Sequence, residues 1–141
     1  MATNKLQNKF LQPKLVKNPN LFDNTSFKSN SGVMLPWKVE CEALTDADWE
    51  WVADRVIKRF SFCGVVGVPT GGNKLEKALK PYIKPDGDVF LIVDDVLTTG
   101  GSMENIKEKT KNQHRNKPRI GIVLFSRITP PSWIISIWQY W

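Results

Sequence analysis

Apolar residues recur at helical spacing after Thr45-Asp-Ala-Asp48: Trp49, Val52, Ala53, Val56, Ile57 and Phe60 share one face. Thr45 can cap such a helix, and Asp46 and Asp48 suit the positive end of its dipole. Trp51 falls on the opposite face, open either to a contact or to cover by the N-terminal segment. Three continuous apolar runs follow, Cys63–Pro69, Val89–Val93 and Ile120–Phe125, each reading as a strand buried on both faces. A short helix with Leu75, Ala78 and Leu79 inward separates the first two, broken by Pro81 and Pro85-Asp-Gly87. A polar helix over roughly 102–113, with Met103 and Ile106 inward, separates the second and third. Pro130-Pro131 makes a turn, and Trp133–Trp138 reads as a last strand. Upstream, residues 1–25 are polar and predict an irregular arm. Residues 26–32 are loop-like, and Val33–Leu44 is extended, with Pro36 arguing for an edge position. Strands alternating with helices predict an α/β, Rossmann-like parallel sheet with flanking helices and right-handed crossovers.

The length of 141 residues suits one domain over 26–141 behind the arm of 1–25. With 41% apolar and 24% charged residues, the composition is that of a soluble globular chain. No apolar run approaches the roughly 18 residues of a membrane span, and the Lys- and Asn-rich start has no apolar core of a secretory signal. Cys41 and Cys63 lack a metal-ligand spacing, so a reduced pair and a cytoplasmic location are expected. The lone histidine, His114, lies in a polar stretch and disfavours a histidine-based triad or zinc site. The net charge of +6 fits a nucleic acid or an anionic small substrate. No basic block interleaved with aromatics stands out, so charge alone does not decide; neither a nucleic-acid nor a membrane partner is expected.

In parallel sheets ligands bind outside the carboxyl ends of the strands, where both glycine-rich loops of this chain fall. In the second loop, Asp94 and Asp95 end a buried run, where two adjacent carboxylates are costly to desolvate. Strand alternation predicts that they point to opposite sides. Thr98, Thr99 and Ser102 offer hydroxyls. Gly100 and Gly101 let amides turn inward, and the following helix start adds positive potential. Such an assembly cradles a monoester phosphate, while the neighbouring carboxylates suit the cis-diol of a ribose. A plain strand-to-helix turn with a solvated acid pair is the alternative for any Asp-Asp followed by Gly-Gly.

The order of residues 90–102, Phe-Leu-Ile-Val-Asp-Asp-Val-Leu-Thr-Thr-Gly-Gly-Ser, goes further. It resembles the full thirteen-residue phosphoribosyl pyrophosphate (PRPP) motif of type I phosphoribosyltransferases. Val65-Val-Gly-Val-Pro-Thr-Gly-Gly72 is similar to the pyrophosphate loop of that family, and Phe27-Lys-Ser-Asn-Ser-Gly32 resembles the start of its orotate-specific members, with Ser-Asn inserted. The resemblance covers roughly residues 26–127 and implies the type I phosphoribosyltransferase fold, reduced in size. It implies that Asp94, Asp95, Val96, Leu97, Thr98, Thr99, Gly100, Gly101 and Ser102 bind PRPP, with the two aspartates catalytic. Pro69, Thr70, Gly71, Gly72 and Asn73 would hold pyrophosphate, and Lys28, Arg127 and Trp133 would contact the base or form its hood; Trp138 is a second candidate to stack on it. Magnesium would enter with PRPP, not on a protein site of its own, and a homodimer is expected.

The implied activity is transfer of ribose 5-phosphate from PRPP to an orotate-like or other nucleobase, with release of pyrophosphate. A typical member has a helix, another core strand and a long closing loop between the two glycine loops. Here only residues 73–88 are available, with Lys77, Lys80 and Lys84 as the remaining charge. That shortening favours a second reading, a non-catalytic PRPP- or nucleotide-binding regulator on the same fold. A structural remnant without ligand is the third.

Overall fold

The computed structural model describes residues 40–139 together with four two-residue strands upstream. Its contacts divide the chain into two compact units, Met1–Thr45 and Asp46–Trp141. In the first, β1 (Phe22–Asp23) pairs antiparallel with β4 (Lys38–Val39), and β2 (Phe27–Lys28) with β3 (Met34–Leu35). A 3-10 turn over Cys41–Ala43 follows. The predicted extended run 33–44 is thus two short strands and a turn, and Pro36 lies outside the described residues. Of the expected arm over 1–25, only β1 is described.

The second unit runs α1 (Asp46–Arg59), β5 (Phe62–Gly67), α2 (Asn73–Leu79), β6 (Val89–Leu97), α3 (Gly101–Lys109), β7 (Arg119–Ser126) and β8 (Ile134–Gln139). The strands form one sheet in the order β5-β6-β7-β8, and every neighbouring pair is parallel. The expected parallel sheet with flanking helices is therefore present, with four strands.

Side chains alternate across this sheet. Phe90, Ile92 and Val123 join Met103 of α3 in one core with Cys63, Val68, Leu97 and Ile134. Gly64 and Val66 of β5 face that core: Gly64 abuts the Phe90 ring, and Val66 packs on the cluster. Gly67 faces the other way, toward Glu76 of α2, whose carboxylate accepts the Gly67 N–H at 3.2 Å. Leu75 and Leu79 of α2 are fully buried on that second side, as are Leu91 and Val93, which alternate with the first core. So α2 and α3 lie on opposite faces. Yet β5-α2-β6 and β6-α3-β7 step in the same direction across the sheet. Two such steps over opposite faces have opposite hands, so the expected right-handedness cannot hold for both crossovers.

Two boundaries differ from the pattern of apolar residues. Strand β6 continues past Val93 to Leu97, because Asp94, Val96 and Leu97 keep pairing with Val123, Phe125 and Ser126 of β7. Helix α3 stops at Lys109 instead of 113, because its last carbonyls are taken early. The Thr110 hydroxyl donates to Ile106 O at 2.8 Å. The Arg119 guanidinium donates to the carbonyls of Thr110, Gln113, His114 and Lys117, which fixes the following turn. His114 sits in that turn at φ 45°, its ring against Phe90.

The return from β7 to β8 uses only residues 127–133 and no helix, whereas parallel crossovers commonly need a dozen residues or more. The register explains the economy: Ile134 pairs with Gly121, so the chain backs up only five positions from Ser126, roughly 17 Å at about 3.3 Å per residue. Trp133 anchors the return on α3, its indole N–H donating to Glu104 at 2.8 Å and its carbonyl accepting from Gly121 N–H at 2.8 Å. On the outer side of α1, Trp51 stacks on Trp138 at 5.5 Å and carries the Arg55 guanidinium over its ring at 4.9 Å. Trp138 in turn stacks on Phe125. The sequence left Trp51 open to a contact, and the structure commits it to this stack. Among the described residues, no helix is long and apolar enough to cross a membrane.

The turn that ends the β5–β6 connection gives a test of this packing. A Cβ on Gly87 would lie 2.2 Å from the Phe62 carbonyl carbon and 2.5 Å from Cys63 N, both backbone atoms that cannot swing aside. Gly87→Ala is expected to lower unfolding stability by about 1–3 kcal/mol, the usual range for overpacking. Denaturant unfolding of the variant measures it, and an unchanged midpoint would refute the tight approach.

Candidate functional site

Both glycine loops emerge at the carboxyl end of the sheet. Strand β6 delivers Asp94, Asp95, Val96 and Leu97, a bend follows at Thr98, Thr99 and Gly100, and Gly101 and Ser102 open α3. Leu97 is buried in the α3 core, and its carbonyl accepts from Arg127 N–H at 2.9 Å. The root of the loop is therefore fixed while Thr99, Gly101 and Ser102 stay exposed at its tip. Gly100 adopts φ 86°, a left-handed conformation that an L side chain enters only at a cost. This turn points the first amides of α3 outward, where the helix dipole adds positive potential. Thr99 Oγ1 accepts the Gly101 N–H at 3.4 Å, which folds the hydroxyl over the cradle.

The first loop is tied to the second. Val68 N–H donates to Val93 O at 2.8 Å, extending the β5–β6 ladder by one step. Gly72 N–H returns to Val68 O at 2.7 Å and Asn73 N–H to Thr70 O at 3.1 Å, closing a compact turn whose Pro69–Thr70 peptide is cis. Pro69, Thr70 and Asn73 are exposed, Gly71 is half-buried and Gly72 buried. A Cβ on Gly72 would meet Val93 O at 2.3 Å, and one on Gly71 would meet Asp95 Oδ1 at 2.4 Å. The two loops thus touch, with the Asp95 carboxylate between them.

The acid pair is asymmetric. Asp94 is buried and Asp95 half-buried. Asp95 N–H donates to Asp94 Oδ1 at 2.8 Å, and Val96 N–H donates to Asp95 Oδ1 at 2.7 Å. Burial first, and the neighbouring Asp95 charge second, push the Asp94 carboxyl up to about 8. Asp94 therefore holds its proton at neutral pH, and the pair is not two equivalent anions.

Of the remaining candidates, Arg127 sits where β7 leaves the sheet, its backbone bound to Leu97, and burial lowers the pKa of its guanidinium from the ordinary value. Lys28 lies in β2 of the first unit. The structure does not bring Trp133 to the loops: it lies against Glu104 and beneath Lys107, whose ammonium is 4.4 Å from the ring centre. That is one to two turns along α3 from the cradle, at about 5.4 Å per turn. Trp138, the second stacking candidate, is held between Trp51 and Phe125. Glu76 had not been singled out in the sequence. Its bond to Gly67 N–H clamps α2 to the end of β5. A carboxylate in the first turn after a Gly-Gly loop was the available signal.

The connection between the loops is short throughout. After α2 come a 3-10 turn at Lys80–Tyr82 and a tight turn, with Lys84 N–H on Phe62 O and Asp88 N–H on Ser61 O. These bonds place Lys84 at the amino end of β5, and α2 runs from the glycine loop toward that same end. Lys80 and Lys84 thus lie away from the cradle and cannot replace a lid's charge there.

No protein-family model and no curated protein sequence matches the chain. Solved structures do match it. Orotate phosphoribosyltransferase from Aeropyrum pernix superposes with a TM-score of 0.57 at 21% identity, over 76% of each chain. The Leishmania donovani UMP synthase gives 0.59 at 16% identity, over 84% of this chain and 33% of that one. The Francisella tularensis orotate phosphoribosyltransferase gives 0.52 at 14%, over 84% and 80%. The chain has the type I phosphoribosyltransferase fold. Within that phosphoribosyltransferase fold, the two touching loops and the buried acid stand at the carboxyl end of the parallel sheet.

The state of Asp94 predicts a pH dependence of stability. The unfolded chain releases this proton near the ordinary carboxylate value of about 4, while the folded chain keeps it up to about 8. Between these values the folded state binds more protons, so stability falls as pH rises, by at most ~1.4 kcal/mol per pH unit. Asp94→Asn keeps the acceptor for Asp95 N–H and cannot ionise. Denaturant unfolding from about pH 5 to about pH 8 should show a flatter profile for the variant than for the parent. Identical profiles would count against a protonated Asp94.

Proposed function

We propose that the chain binds PRPP and transfers its ribose 5-phosphate to a nitrogenous base, releasing pyrophosphate. The observation that supports this most is the contact of the two glycine loops across Asp95, which sets both beside one carboxylate. Thr98, Thr99, Gly100, Gly101 and Ser102 take the 5′-phosphate through hydroxyls and amides. Asp95 accepts hydrogen bonds from the ribose diol, and protonated Asp94, with Val96 and Leu97 as scaffold, supports it. Pro69, Thr70, Gly71, Gly72 and Asn73 line the pyrophosphate. Arg127 stands beside the cradle, and Lys28 belongs to the segment resembling the base hood. As a ring nitrogen of the base bonds to C1, the bond from C1 to the pyrophosphate oxygen breaks, and its electron pair leaves with pyrophosphate. The nitrogen's proton, where it carries one, passes to solvent. Preorganised amides stabilise the departing charge.

Among the described residues no group of three or more metal-ligating side chains exists, and Asp94 is protonated. In this reading a magnesium ion would enter on the oxygens of PRPP. Bound that way, magnesium would neutralise charge on the diphosphate.

One observation favours a second reading, a regulator that binds PRPP or a nucleotide without turnover. The β5–β6 connection folds back toward the amino end of the sheet and itself supplies no cover over the cradle. Water would then reach the reacting carbon unless another part of the chain, or a second copy in a homodimer, excludes it.

Calorimetric titration with magnesium and PRPP separates these readings from a ligand-free fold. Binding is expected for the parent. Asp95→Ala combined with Thr99→Ala should weaken it beyond detection while circular dichroism stays unchanged. Equal affinity would refute the placement of the site. Pyrophosphate release with a panel of purines, pyrimidines and orotate then tests turnover, and silence across the panel alongside intact binding selects the regulator.

A further inference from the structure

The chain's positive charge is concentrated. It carries 20 Lys and Arg against 14 Asp and Glu, a net of +6. Residues 107–119 hold Lys107, Lys109, Lys111, Arg115, Lys117 and Arg119 against the single acid Glu108, a net of +5, leaving +1 for all the rest. In the fold this segment is the last turn of α3 and the turn leading into β7. It therefore lies at the amino ends of the strands, opposite the glycine loops. Pro118 O accepts from Phe90 N–H at 2.9 Å, placing it beside the start of β6 as well.

Two features make this more than a charged loop. First, it is rigid by construction. Arg119 spends its guanidinium on four carbonyls of the turn and lies 4.4 Å from the centre of the Phe90 ring, so it organises the surface instead of contacting a partner. Second, the segment borders a groove of about 420 Å³, lined by Lys107, Lys111, Arg115, Lys117, Arg119 and the acids Glu104 and Glu108. Both acids are occupied: Glu104 by the Trp133 indole, Glu108 by Lys111. Among the described residues Lys109, Arg115 and Lys117 have no carboxylate partner. Exposed amide side chains at Asn112, Gln113 and Asn116 stand between these cations.

The geometry points to a nucleic-acid-binding surface here, which grips the phosphate backbone with Lys109, Lys111, Arg115 and Lys117. Cations clustered on a fixed turn suit a polymer of closely spaced phosphates, whose counterions are released on binding, and amide side chains between them can meet base edges. An anionic membrane is disfavoured, since membrane-surface segments add exposed large apolar groups. Among the described residues the exposed large apolar side chains are Trp51, Tyr82, Ile83 and Ile128, none of them in this segment. The sequence reading set nucleic acid aside for want of interleaved aromatics, but those serve base stacking, whereas this surface has the composition of a backbone reader. Because it lies at the far end of the sheet, binding here does not compete with PRPP.

The test uses the full chain and fluorescence anisotropy with a labelled single-stranded RNA, a DNA strand of the same sequence and their duplexes, across a salt series. Binding of at least one is expected, with affinity falling as salt rises. The triple variant Lys109→Ala, Arg115→Ala, Lys117→Ala removes two exposed side chains and the half-buried Lys117. It should bind about tenfold more weakly or worse, with the salt slope reduced by about 2–3. Circular dichroism and the PRPP titration should match the parent, which keeps failure here distinct from failure of the PRPP reading. No binding by the parent, or equal affinity and slope in parent and variant, would overturn the assignment. So would binding only to vesicles containing phosphatidylserine, lost in the variant, which would make the surface a lipid contact.

Discussion

Two glycines pressed against the end of a neighbouring strand set the geometry of the whole carboxyl edge. Gly67 pairs with Val93, and Val68 N–H adds one more rung to Val93 O. The chain then turns so sharply that Gly72 lies over that same carbonyl and Gly71 over the Asp95 carboxylate, at distances where no Cβ fits. Any side chain at either position would push the first loop away from β6. With none, an anion cradle and a second amide-lined turn face one another across a single carboxylate. The fold alone does not ensure this, since a parallel sheet brings loops to one end without making them touch.

The same closeness governs the electrostatics. A carboxyl that continues the β6 ladder next to a second one is desolvated and repelled, and Asp94 responds by keeping its proton. The loop edge then presents one carboxylate instead of two. Hydroxyls and amides of residues 98–102 can act without opposing a double negative charge. Arg127 is bonded through its backbone to the root of the same loop.

Much of this was legible in the residues. Continuous apolar runs marked β5, β6 and β7, and the ordered acids, hydroxyls and glycines of 94–102 marked the loop, because buried strands and anion cradles both demand particular residue types. What escaped depended on partners far away in sequence. β6 outlasts its apolar run because β7 continues to pair with it. α3 ends early because Arg119, ten residues beyond Lys109, takes the carbonyls of the turn. Trp133 has the composition of a stacking residue, yet the short return from β7 leaves it on the side of α3. The alternation of β6 predicted opposite sides for Asp94 and Asp95 but not which of them would be buried.

The opposite hands of the two crossovers carry the last step. If β6-α3-β7 follows the right-handed rule, then α2 lies on the face from which a right-handed step would lead outward, to a strand beyond the free edge of β5. This chain instead steps from α2 directly back to β6. Its α2 therefore keeps the placement suited to a longer connection while the strand and loop are missing. A helix in that place still buries Leu75 and Leu79 and still clamps Gly67 through Glu76, which is what the first glycine loop needs. The short connection thus leaves both glycine loops in place, because α2 still holds the first of them against β5.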